Sequence, residues 1–179
     1  MSWTALNIKG TYTFEPKIWG DDRGYFFESF NASTLPVELK NIHFVQDNEA
    51  KSVKGVIRGL HYQKGDAAQS KLVRCVEGEI LDVIVDLRPD SLTYGQHISV
   101  ILNDITKKQL FVPRGFAHGY IVLSETAVFA YKCDNYYNPS QEGGIHYLDK
   151  DLDIDWILPK ENHIISEKDA ILPKLAQLP

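Results

Sequence analysis

Short alternating apolar segments, separated by turns, fill most of this chain, and almost nothing in it reads as a helix. Lys71–Leu87 (KLVRCVEGEILDVIVDL) alternates and is rich in Val, Ile and Leu, and Gly78 between Glu77 and Glu79 predicts a tight turn or bulge in its middle. From Ile80 onward Asp82 and Asp86 alternate with Leu81, Val83, Val85 and Leu87, the pattern of a strand with one buried face. Gln96–Leu102, the turn Asn103-Asp104 and Gln109–Val112 follow. His118–Leu123 and Ala127–Cys133 read as a pair joined by Ser124-Glu125-Thr126. The one helix signal is Ser33–Lys40, where Ser33 can cap and Pro36 falls in the first turn. Strands this short and evenly spaced predict an all-β antiparallel sandwich or barrel. The tail is turn-rich over Asn138–Gly144, acidic over Asp149–Asp155 and punctuated by Pro159, Pro173 and Pro179, so it is expected to wrap the barrel as irregular structure.

With 179 residues the chain is expected to form one domain spanning 1–179. Its 44% hydrophobic and 24% charged residues suit a globular protein and argue against disorder or a fibre. No apolar stretch approaches the ~20 residues that a membrane-spanning helix needs. The start, MSWTALNIKG, lacks the basic and apolar regions of a secretory signal. A net charge of −5 without a long Lys/Arg cluster disfavours a nucleic-acid surface, though not a pocket for one phosphorylated ligand. Cys75 and Cys133 show no CxxC spacing and read as buried free thiols of a reducing cytoplasm.

Two segments carry residues with chemistry. Pro113-Arg114-Gly115-Phe116-Ala117-His118 follows one strand and precedes another, and PxGxxH in that setting resembles the second motif of the cupin superfamily, a small antiparallel β-barrel. Metal cupins join this His to an earlier HxH. Here that position reads His61-Tyr62-Gln63, with no Glu at ligand spacing, so fewer than the usual three protein ligands remain and the barrel is expected to be metal-free. The second segment is Gly55–Gln63. Arg58 and His61, three apart, fall on opposite faces of a regular strand unless Gly59 marks a bulge. A Gly-flanked Arg and His are an odd choice for an apolar core, and Lys71, Arg74 and His118 add to the polar set.

The chain resembles the dTDP-4-dehydrorhamnose 3,5-epimerase family, metal-free cupins of nucleotide-sugar biosynthesis. The resemblance runs nearly end to end: Asp22–Glu28, Gln46-Asp47-Asn48, Arg58-Gly59-Leu60-His61, Lys71–Arg74, Pro113–Gly119, Tyr131-Lys132-Cys133 and Ser166–Ala170. It implies a jelly-roll β-barrel with short peripheral helices and no cofactor. The implied substrate is a dTDP-linked 4-keto-6-deoxyhexose, whose C3 and C5 protons are acidified by the C4 ketone. Inverting those carbons takes a base on one face, an acid on the other and a donor for the enolate oxygen. The resemblance assigns His61 as base, an imidazole suiting proton transfer near neutral pH. It assigns Asp169 as the carboxylate that orients it, Tyr131 as acid, Lys71 at the enolate oxygen and His118 as a second donor there. For the nucleotide it implies Arg58 and then Arg23 at the diphosphate. Gln46, Asn48, Phe26, Glu28 and Tyr137 would surround the thymidine. It also implies a homodimer in which the Arg23–Glu28 segment enters the neighbour's site. The rivals are a 3- or 5-epimerase, a 3,4-ketoisomerase, and a metal-binding or non-catalytic cupin. Trp3, Trp19 and Trp156 are expected to pack in a core or an interface.

Overall fold

The computed structural model describes residues 1–178. Two antiparallel sheets hold nearly all the regular structure. The six-stranded sheet has the order β1 (Ser2–Ala5), β2 (Tyr12–Glu15), β10 (Gln109–Val112), β7 (Lys71–Glu77), β12 (Thr126–Cys133), β5 (Gln46–Val53). The five-stranded sheet has the order β13 (Glu142–Gly144), β6 (Ile57–Gln63), β11 (Phe116–Val122), β8 (Glu79–Asp86), β9 (His97–Asn103). A separate hairpin, β3 (Ile18–Asp21) and β4 (Gly24–Phe27), stands apart from both. Most successive strands after β4 alternate between the two large sheets, the winding of a jelly roll. The inner faces meet in one core, with Val73, Cys75, Leu110 and Phe129 from the first sheet against Ile80, Ile84, Leu102 and Tyr120 from the second. Both cysteines are free and buried, Cys75 within this core.

The predicted pairing of His118–Leu123 with Ala127–Cys133 is incorrect. β11 already bonds β6 on one edge and β8 on the other, and β12 bonds β5 and β7. A strand has only two edges, so the Ser124–Glu125 link carries the chain from one sheet to the other. Gly78, at φ +82°, turns the same kind of corner between β7 and β8. The expected one-sided burial of β8 also fails. Ile80 and Ile84 point into the core between the sheets, while Leu81, Val83 and Val85 lie under Ile145, Tyr147, Leu152 and Trp156 of the tail. The tail therefore wraps the barrel as expected, and its apolar side chains are what bury the second face. Trp156 is fixed there by its indole N–H, donated to the Tyr147 carbonyl at 2.9 Å. Asp82 and Asp86, which share the parity of Ile80 and Ile84, are fully buried.

Ser33–Lys40 is not one helix. It forms two 3₁₀ turns, Ala32–Thr34 and Val37–Leu39, broken at Leu35, whose extended backbone (ψ 143°) is what a residue preceding proline prefers. The first turn is capped by Asn31, whose Oδ1 accepts the Ser33 N–H at 2.9 Å, rather than by Ser33. The α-helical turn of the described residues is α1 (Glu167–Ala170), where the Ser166 hydroxyl accepts the Asp169 N–H at 3.1 Å.

The β6–β11 ladder contains the irregularity that matters most. His118 pairs with His61 and Tyr120 with Arg58, so two steps along β11 match three along β6. The slip occurs at Gly59, φ +134°, where a Cβ would stand 2.5 Å from the Gly119 Cα and 2.9 Å from the His118 carbonyl oxygen. Both obstacles are backbone and cannot yield. Gly59→Ala is therefore expected to cost ~3 kcal/mol or more, combining a disfavoured φ with overpacking. A urea-unfolding midpoint unchanged from the parent would refute this.

Candidate functional site

The slip at Gly59 brings Arg58 and His61 onto the same side. Both line a cavity of about 510 Å³ that also takes in Lys71, His118, Tyr131 and Asp169. Every sequence-predicted catalytic residue is thus gathered in one place, from four strands and the tail helix.

On the second sheet, the His61 Nε2–H donates to Asp169 Oδ1 at 2.6 Å. Asp169 arrives from α1, which Ser166 caps and which is tied to β6 by the Gly59 N–H, donated to Asp169 Oδ2 at 3.5 Å. Burial pushes the Asp169 carboxyl up, but the His61 ring, the Gly59 N–H and the Ser166 hydroxyl outweigh it and hold the group below the ordinary carboxylate value. An ionised Asp169 fixes the proton of His61 on Nε2 and leaves the lone pair on Nδ1, which has no hydrogen-bond partner among the described residues. The side chain of His61 is 30% exposed and that of Asp169 only 6%, so the pair has a wet end and a dry end.

A second His–Asp pair lies deeper. The His118 Nε2–H reaches both oxygens of Asp82, at 3.1 and 2.9 Å, and both residues are buried. Burial drives the Asp82 carboxyl upward, against the opposing pull of His118 and Lys71. In the sequence Asp82 reads as the polar side of an ordinary strand. Alternation places Asp82 opposite Leu81, Val83 and Val85, and nothing in the sequence shows that this side is buried as well.

The first sheet supplies the opposite wall. Lys71, at the start of β7, lies 5.7 Å from the centre of the Tyr131 ring. Burial lowers its ammonium below the usual lysine value, and Cys133, Asp82 and Glu142 partly counteract this. The Tyr131 phenol, on β12, is pushed up to about 12, chiefly by burial. It keeps its proton at neutral pH. Phe129 lies 5.9 Å from the His118 ring and 5.6 Å from the Tyr131 ring, and so spaces the two walls.

A smaller cavity of about 340 Å³ shares His61, Lys71 and Tyr131 and extends to Gln46, Asn48 and Tyr137. Gln46 Nε2 donates to Asn48 Oδ1 at 3.1 Å, and Gln46 Oε1 accepts the Tyr137 N–H at 3.1 Å. Two residues absent from the sequence-based set close this region. Glu142 Oε2 accepts from the Tyr137 hydroxyl at 2.9 Å and from Lys168 Nζ at 2.5 Å. Burial raises the Glu142 carboxyl, but Lys168 and Tyr137 keep it below its ordinary value. Glu142 thereby links the Tyr137 loop to the helix that carries Asp169.

Arg23, Phe26 and Glu28 line neither of these cavities. They lie on or beside the β3–β4 hairpin, where Arg23 is ion-paired with Asp21 and Phe26 is 69% exposed. At the positions a metal cupin would use, His61 Nε2 is held by Asp169, His118 Nε2 by Asp82, and Gln63 Oε1 accepts the Asn138 N–H at 2.8 Å. Among the described residues no group of three or more His, Cys, Asp or Glu side chains converges on one point.

A family model described as dTDP-4-dehydrorhamnose 3,5-epimerase matches residues 5–177. The chain belongs to the dTDP-4-dehydrorhamnose 3,5-epimerase family. A family member from Shigella flexneri is 51% identical over 170 residues, covering 94% of this chain and 93% of the relative. Among solved structures, the dTDP-4-dehydrorhamnose 3,5-epimerase of Elizabethkingia anophelis is 50% identical with a TM-score of 0.92, covering 98% of this chain and 97% of that one. The dTDP-6-deoxy-D-glucose-3,5-epimerase of Legionella pneumophila, solved with dTDP-4-keto-L-rhamnose, is 47% identical with a TM-score of 0.94 and covers 99% and 94%. The jelly roll of these epimerases is therefore also the fold of this chain.

Proposed function

We propose that this chain inverts C3 and C5 of dTDP-4-dehydro-6-deoxy-D-glucose, giving dTDP-4-dehydro-L-rhamnose, and that His61 and Tyr131 move the protons. The observation that carries the reading is the division of the cavity between two sheets. His61 with Asp169 comes from one sheet and the neighbouring tail, Tyr131 from the other. A sugar ring held between them meets a base on one face and a protonated phenol on the other, which is what inversion at a carbon next to a ketone demands. Nδ1 of His61 takes the proton, and Asp169 steadies the imidazolium that forms. Lys71 and His118 face the enolate oxygen, where a fixed positive charge or donor stabilises developing negative charge. No group outside the protein is needed for this proton transfer.

Arg58 takes the diphosphate, and Gln46, Asn48 and Tyr137 surround the thymidine. Arg23, Phe26 and Glu28 complete that end from a second copy of the chain, in a homodimer with shared sites. The exposure of Trp19, Tyr25 and Phe26 on one short hairpin supports this, because so many bare aromatics together favour a partner. Cytoplasmic placement suits the two free thiols, and no helix among the described residues is long and apolar enough to cross a membrane.

The test is incubation with the 4-keto sugar nucleotide in D2O, with chelator present. Deuterium is expected at both C3 and C5, with inverted product accumulating at a rate that chelator does not change. Label at one carbon alone would reduce the reading to a monoepimerase. Migration of the ketone to C3 would make the protein a ketoisomerase, and unlabelled substrate would overturn the proposal.

A further inference from the structure

Tyr120 is the side chain of the cavity whose chemistry is left unused. It is 4% exposed, and its hydroxyl has no hydrogen-bond partner among the described residues. Its ring packs against Phe129 with centroids 4.3 Å apart, so it cannot turn away to seek one. The oxygen lies close enough to the Ser52 hydroxyl and the Arg58 guanidinium for both to act on it, yet neither contact has the geometry of a full hydrogen bond. Ser52, itself 6% exposed, accepts from Arg58 Nε at 3.1 Å, and that is the hydrogen bond Arg58 makes among the described residues. Three polar heads from β5, β6 and β11 therefore meet at one edge of the cavity, and only one hydrogen bond joins them.

An enclosed hydroxyl without a partner destabilises a fold, because it loses water and gains nothing. Such a group persists where function uses it. Among the described residues no carboxylate pairs with Arg58, and its two terminal nitrogens are available for a forked grip on an anion.

We propose that Tyr120 and Ser52 are positioning residues that seat the Arg58 guanidinium against the diphosphate of the substrate. Ser52 holds Nε. Tyr120 provides the adjacent oxygen that the guanidinium engages when its terminal nitrogens close on phosphoryl oxygens. The inference rests on the sugar-nucleotide reading above and extends it to two residues that touch the ligand only through Arg58.

The experiment compares dTDP with thymidine, which lacks the diphosphate, by calorimetric titration of the full chain and of Tyr120→Phe, Ser52→Ala and Ser52→Thr. Tyr120→Phe is expected to weaken dTDP binding about tenfold, leave thymidine binding unchanged, and raise KM for the sugar nucleotide more than it lowers kcat. Because it removes an unsatisfied hydroxyl, it is also expected to raise Tm by ~2–4 °C. Ser52→Ala should weaken dTDP in the same way, and Ser52→Thr, which keeps a hydroxyl, should restore it. If Ser52→Ala does not fold, Tyr120→Phe decides alone, since it deletes one unbonded atom. Wild-type dTDP affinity in Tyr120→Phe, or equal losses for dTDP and thymidine, would overturn the proposal. A parent protein that binds dTDP but labels no carbon in D2O would refute the epimerase reading and leave this seat standing. A parent that binds no dTDP would refute both.

Discussion

His61→Asn is expected to lower turnover by ~10²–10⁴-fold, the usual scale of a general base, while dTDP still binds. The asparagine amide can occupy the space near Asp169, whose other contacts to Gly59 and Ser166 keep it in place. What it lacks is a basic nitrogen. In the parent, Asp169 holds the proton on Nε2 at 2.6 Å and so leaves Nδ1 free to accept another. The nucleotide contacts proposed for Gln46, Asn48, Tyr137 and Arg58 do not involve the ring. Steady-state rates beside calorimetric dTDP titration check the two halves separately. Turnover within a few-fold of the parent would remove His61 from the mechanism.

Tyr131→Phe carries the second large effect, and it is a difference between two rates rather than a single loss. The phenol, pushed up to about 12 by burial, holds its proton throughout the working range and can deliver it to the enolate. Deleting one oxygen keeps the ring and its packing against Phe129. Deprotonation by His61 should continue, with Lys71 and His118 still available to the enolate. His61 can then only return a proton to the face it came from. Deuterium should therefore enter the starting sugar faster than epimer appears, with product formation reduced by ~10²-fold or more. Mass spectrometry of recovered substrate alongside product analysis measures both. Equal loss of exchange and inversion would mean that Tyr131 stabilises the enolate or organises the site, and the acid would have to be found elsewhere.

The class of fold was legible in the alternation of the chain, and most of the candidate site in its resemblance to the family. Alternation at period two, short segments and turn residues dictate an antiparallel β-protein, because that is the only regular structure in which such segments bury one side. The family resemblance carried by the ordered motifs from Arg58-Gly59-Leu60-His61 to Asp169 named the residues that the structure gathers into one cavity. Pairing was not legible. Whether β12 lies beside β11 depends on which edges are already occupied, and edge occupancy is a property of the whole sheet. The double burial of β8 was hidden for a related reason: its outer face is covered by Tyr147 and Trp156, more than sixty residues downstream. Glu142 and Lys168 were equally out of reach, since neither signals a role until the tail lays one against the other. Tertiary structure alone decided how Arg58 and His61 come to share a side. A strand's two-residue period separates them, and only the close approach of Gly59 to Gly119 forces the slip that brings them together. It also decided that Asp82 is a buried partner of His118 and that the Tyr120 hydroxyl has none. Alternation gives the face of a strand, whereas the partner of a buried polar atom is fixed by whatever the opposite sheet and the tail bring within three ångströms of it.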